Sequence, residues 1–80
     1  MLREYIVSSN VDVVGYHRGK LYVRFHNGGA YEYENATLKD YLDLAHAESA
    51  GQHFHRHIRG KFPFAKLDHD PFQPHLKAAA

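Results

Sequence analysis

The sequence predicts an α+β fold, and two observations carry that reading. Residues 11–34 alternate apolar and polar side chains between turn signals, and residues 37–48 repeat apolar groups at helical spacing. The expected architecture is a three-stranded antiparallel β-meander, roughly Val11 to Glu34, packed against one longer and one shorter α-helix. Eighty residues make a single small domain. A chain of that size buries roughly 60–65% of the surface its unfolded form exposes, so its stability margin is thin.

Tyr5 to Val7 is a short apolar start, and Ser8-Ser9-Asn10 favours a turn or cap. Val11 to Tyr16 is β-branched and aromatic; its Val13-Val14 doublet implies a bulge or burial on both sides. Arg18-Gly19 supplies a tight turn. Lys20 to His26 is the clearest strand, with Leu21, Val23 and Phe25 on one face and Tyr22, Arg24 and His26 on the other. Asn27-Gly28-Gly29 signals a hairpin leading into a third strand, Ala30 to Glu34. A two-residue loop would pair Tyr22 with Tyr33 and leave Glu32 and Glu34 among the apolar groups. A three-residue loop would pair Phe25 with Tyr31, Val23 with Tyr33 and Arg24 with Glu32. The second gathers the apolar groups on one face and is favoured, which makes Tyr31 and Tyr33 mostly core.

Thr37 to Glu48 is the best helix. Thr37 and Asp40 approximate a capping box, and Leu38, Tyr41, Leu42 and Ala45 form an apolar stripe. Gly51 reads as its stop. Gln52 to Arg59 is a shorter helix with Phe54 and Ile58 on one face, and Lys61-Phe62-Pro63-Phe64 is extended because Pro63 biases Phe62 away from helix. The domain is expected over residues 1–67, with a flexible C-terminal tail over residues 68–80.

Composition excludes several function classes. Without Cys there is no disulfide scaffold, thiolate zinc site or cysteine nucleophile. No apolar run approaches the roughly 18–20 residues needed to span a bilayer, and Met1–Ser9 lacks a signal-peptide core, so the cytoplasm is the expected compartment. The net charge of +1 hides an asymmetry. Residues 1–50 hold five basic and seven acidic side chains, whereas residues 51–66 hold Arg56, Arg59, Lys61 and Lys66 and no acid. A basic segment behind an acidic body suggests an anionic partner or an internal charge match.

Ser8-Ser9-Asn10, Val14-Gly15-Tyr16, Leu21-x-Val23-x-Phe25, Gly28, Tyr31-x-Tyr33, Ala45, Ser49-x-Gly51, Phe54 and Ile58-Arg59 together resemble the KTSC domain. That family is named after the C-terminus of lysyl-tRNA synthetase, and other members are free-standing small bacterial and phage proteins. The resemblance implies that Ser8, Ser9, Gly15, Tyr16, Gly28, Tyr31, Tyr33, Gly51, Phe54 and Ile58 form the structural motif, with the Tyr-x-Tyr pair near its centre. It also brings a suggested RNA-binding role. Two departures stand out. Ala36-Thr37 replaces a frequent Val-Pro, and Gln52 to His57 is rich in His where the family tends toward aromatic residues and Asn.

Each chemical signal competes with a structural explanation. His53 and His57 share a helix face and are weak metal candidates, lacking a further ligand close in sequence. Tyr22, Tyr31, Tyr33, Phe54, Phe62 and Phe64, interleaved with Arg24, Arg56, Arg59 and Lys61, have the ingredients of a single-strand platform. A small domain without Trp must also spend aromatics on its core. Arg56-x-x-Arg59-x-Lys61 is the most credible contact surface, with Tyr22 and Arg24 as further candidates. Arg59 could equally pair with Glu48 or the acidic edge strand. Ser8 and Ser9 lack any nucleophile-elbow pattern, Asn35-Ala36-Thr37 is a chance glycosylation match, and no enzyme or cofactor is expected. The leading expectation is a non-catalytic module binding RNA or single-stranded nucleic acid. The alternative is a protein-interaction module or accessory factor docking on a larger complex through an edge strand or the Phe62/Phe64 pair around Pro63.

Overall fold

The computed structural model describes residues 1–72. One antiparallel sheet has its strands side by side in chain order: β1 (Leu2–Tyr5), β2 (Val11–His17), β3 (Lys20–Phe25), β4 (Ala30–Tyr33) and β5 (Phe64–Lys66). Between β4 and β5 the chain leaves the sheet to form α1 (Leu38–Ala45) and α2 (Ala50–His53), and α2 runs on into a π-helical turn (Phe54–Ile58). The α+β class is as expected. The sheet, however, has five strands, not three. β1 and β5 are four and three residues long, too short for an alternating pattern to stand out, and each is defined by its pairing to β2 or β4.

Local chemistry explains the turns. Arg18 (φ 49°) and Gly19 (φ 81°) close the β2–β3 hairpin in the left-handed conformation that matches strand twist. Val13 and Val14 are both fully buried, and the β2–β3 register shifts between Val11 and Val13, so the doublet combines a bulge with burial on both faces. The β3–β4 register differs from both sequence alternatives: Leu21 faces Tyr33, Val23 faces Tyr31 and Arg24 faces Ala30. Gly28 (φ 97°) turns the loop, and the Phe25 N–H donates to Gly29 O at 2.9 Å. Relative to the favoured option this is a two-residue slip. A slip of two preserves faces, so Tyr31 and Tyr33 stay with Leu21 and Val23 as expected.

The helices cover that face. Thr37 Oγ1 accepts the Asp40 N–H at 3.2 Å while Asp40 Oδ2 accepts the Thr37 N–H at 2.8 Å, completing the capping box. The helix stops at Ala45 and not Glu48, and Gly51 is not its stop: Ser49 caps a new helix at the Gln52 N–H, with Gly51 inside it. Val11, Val14, Leu21, Val23, Tyr33, Tyr41, Leu44, Phe54 and Ile58 form the core under α1 and α2.

The opposite face carries Arg3, Val13, Gly15, Tyr22, Arg24 and Glu32 by strand alternation. It is covered by the chain after β5. Phe72 is 4% exposed, and Asp70 pairs with Arg24. Within the expected tail, Asp68 and His69 are exposed while Asp70 and Phe72 pack on the sheet; the expectation for residues 73–80 lies outside the described residues. Among the described residues no helix is long and apolar enough to cross a membrane.

Candidate nucleic-acid interface

The helix-covered face is not fully closed. Between the β3–β4 hairpin, β5 and the π turn lies a groove of about 760 Å³, within the range of small-ligand sites. Register builds its aromatic wall. β4 pairs with β5 so that Tyr33 faces Phe64 and Tyr31 faces Lys66. Phe64 thereby stands 6.0 Å from the Tyr33 ring and 6.2 Å from the Tyr31 ring, and the two tyrosine rings stack at 6.4 Å. Phe25 and Phe54 close the floor edge-to-face at 5.2 Å. Phe64 remains 62% exposed, a large ring standing in solvent beside a packed aromatic cluster.

The polar rim is basic or neutral. Arg59, His55 and His26 contribute to the lining with Ser9, Asn10 and Asn27, and no carboxylate does among the described residues. Arg59 is exposed and makes no ion pair among those residues, so the proposed pairing with Glu48 or the acidic strand is not formed. Burial pushes the Tyr33 hydroxyl up to about 12, reinforced by Tyr31 and opposed by the nearby Arg59 cation. Tyr33 is 4% exposed and borders the groove.

The sequence candidates thus separate. Arg59, Tyr31, Tyr33, Gly51 and Phe54 come together at the groove, and Arg56 and Lys61 are exposed on the same basic segment. Tyr31 is half-buried, so the pair is core at Tyr33 and groove wall at Tyr31. Tyr22 and Arg24 do not join them. They lie on the other face, where Tyr22 opposes Glu32, and Arg24 is bound by Asp12 at 2.7 Å and by Asp70. Arg24 was expected opposite Glu32; Glu32 instead pairs with Lys20 at 3.4 Å. Two carboxylates leave Arg24 no free charge for phosphate.

The remaining motif residues have architectural work. Ser8 Oγ accepts the N–H groups of Asn10 (3.2 Å) and Val11 (3.3 Å), which is turn chemistry, and its carbonyl meets His26 Nε2 at 2.8 Å. Ser9 joins the groove rim. The Tyr16 hydroxyl accepts the Gly19 N–H at 3.2 Å and donates to Ala36 O at 3.5 Å. Ile58 anchors the π turn, 1% exposed. His53 and His57 stack with centroids 4.6 Å apart. Burial and then His57 lower the His53 pKa. Among the described residues no third His, Asp or Glu completes a metal site with them.

Sequence reasoning missed Phe25, His26, Asn27, Asn10 and His55 as groove residues. The β5 pairing that aligns Phe64 with Tyr33 has no local signature. The Ser49–Gln52 cap does, and it marks the start of the helix that leads into the π turn. π-Helical turns recur at functional sites, and this one presents His55 and Arg59 to the groove.

Comparison with known proteins places the chain in a family. The chain is 43% identical over 47 residues to a lysine–tRNA ligase from Nostoc punctiforme and 40% identical over 47 residues to one from Trichormus variabilis. Each match covers 59% of this chain but only 8% of the ligase. The crystal structure of a KTSC domain protein from Yersinia pestis superposes with a TM-score of 0.76 at 28% identity, covering 81% of this chain and 94% of that one. The KTSC domain model matches residues 7–62, which span β2 to β4, both helices and the π turn. The chain belongs to the KTSC domain family.

Proposed function

We propose that this protein is a non-catalytic module that binds single-stranded nucleic acid, RNA in the first instance, in the aromatic groove. The observation that carries the reading is the coincidence, among the described residues, of an aromatic wall (half-buried Tyr31 and exposed Phe64), a cation without an ion pair (Arg59) and a rim without carboxylates. Bases stack on such rings for about 1–3 kcal/mol each, and Arg59 offers bidentate geometry to a phosphate. Arg56, Lys61 and Lys66 are exposed nearby in sequence and add to the positive charge of the segment. The relatives that carry a similar stretch are tRNA ligases, which agrees with RNA as the partner.

The test is fluorescence anisotropy with short single-stranded RNA across a salt series. Four cations on a single strand give a log–log slope of about three. Arg59→Glu should weaken binding about tenfold or more, and unchanged affinity would remove the reading. A second reading, a protein-docking edge, rests on β5, whose three residues are all exposed at the sheet's border. A stable assembly that ignores nuclease treatment would favour it.

A further inference from the structure

The opposite face of the sheet holds a second built site, and it is occupied. Gly15 provides the socket. A Cβ there would lie 2.7 Å from Met1 Sδ, 2.8 Å from Phe72 Cε1 and 3.1 Å from Leu2 O, so the Phe72 ring sits where a side chain on β2 would otherwise stand. Two guanidiniums flank that ring, Arg3 at 5.9 Å and Arg24 at 5.7 Å from its centroid. Arg3 Nη1 also donates to the Phe72 carbonyl at 3.1 Å. Asp70 completes the recognition: one oxygen takes Arg24 Nη1, and the other accepts the Phe72 N–H at 2.9 Å. The occupant is thus read at a carboxylate, a ring and a main-chain carbonyl.

We propose that this face is a docking site for short peptide segments bearing a carboxylate two residues before a phenylalanine, and that Asp70-Pro71-Phe72 fills it in cis until a partner's segment displaces it. The matched family region, residues 7–62, includes Gly15 and Arg24 of the socket but neither Arg3 nor the Asp70–Phe72 plug. Cis occupancy is favoured by tethering. The Leu67 N–H is fixed to Ala30 O at 2.9 Å, and only Asp68 and His69 separate Leu67 from Asp70. A short tether supplies an effective concentration on the order of millimolar or above. A partner must therefore bind more tightly than that or arrive with further contacts. The proposal does not depend on the nucleic-acid reading.

The test uses the full chain carrying Asp70→Asn and Phe72→Ala, titrated with the peptide Leu-Asp-His-Asp-Pro-Phe-amide and followed by amide NMR. The expected result is saturable binding that shifts the Gly15 and Arg24 amides, with the unaltered chain taking up far less peptide. A peptide with Asn in place of its second Asp should bind about tenfold more weakly. The single variant Asp70→Asn keeps the aromatic plug and is titrated in parallel, so a folding failure of the double variant cannot mask the answer. It should release its own segment at lower peptide concentration than the unaltered chain. A folded variant that takes no peptide at millimolar concentration, or takes it at the aromatic groove, would overturn the proposal.

Discussion

The two faces of one sheet have opposite fates. On the helix-covered face, Phe64 and Arg59 stand exposed with no carboxylate lining the groove among the described residues. On the other, Arg24 is claimed by Asp12 and Asp70 and roofed by Phe72. Both arginines looked like candidate phosphate ligands. The difference shows that a cation's availability is set by which carboxylates the tertiary fold delivers to it. Asp70 reaches Arg24 across 46 residues.

The largest effect expected from breaking this contrast is at the closed face. Phe72→Ala should destabilise the fold by up to about 3 kcal/mol in urea unfolding, because it empties a buried socket. Phe64→Ala should cost under about 1 kcal/mol of stability, since its ring is largely exposed, yet weaken RNA binding by about 1–3 kcal/mol. Equal stability losses at the two positions would erase the distinction between plug and wall. Gly15→Ala sharpens the same point. Its Cβ must displace Phe72 and Met1, at about 1–3 kcal/mol, and its unfolding midpoint should fall while RNA affinity holds. Arg24→Gln removes the cation that Asp12 and Asp70 share. It should cost about 1–3 kcal/mol in stability and leave RNA binding intact, the reverse of Arg59→Gln.

The smallest effect concerns His53. Its folded pKa lies below the ordinary value of 6.5 because burial and then His57 disfavour its charge, against Asp43 and Asp40. The unfolded chain then binds the proton more readily, so stability is present above about pH 6.5 and declines as pH falls through that value toward the lower folded pKa. Replacing His57 with Gln should flatten that decline in a pH series of thermal unfolding.

Much of the fold was legible in local pattern. Leu21, Val23 and Phe25 alternate cleanly, Thr37 and Asp40 announce the helix start, and Phe54 and Ile58 share a buried face as their spacing implies. The edges were not legible. β1 is mostly exposed, β5 has three exposed residues, and neither carries a periodic signal; pairing alone makes them strands. The site inherits that limit. Tyr31, Tyr33 and Arg59 were visible as candidates, but the wall needs Phe64 brought to Tyr33 by a register that no neighbouring residue encodes. Tyr22 and Arg24 read as further candidates because the segment that covers their face, with Asp70 and Phe72, carries no local signal of doing so.

The most direct test of the two-face account is an amide NMR titration of the full chain with a short single-stranded RNA. The account predicts shifts at Gly51, Phe54, His55, Arg59 and Gly60 around the groove, with Gly15, Tyr22 and Arg24 unmoved. Shifts centred on Gly15 and Arg24, or none at low salt, would contradict it.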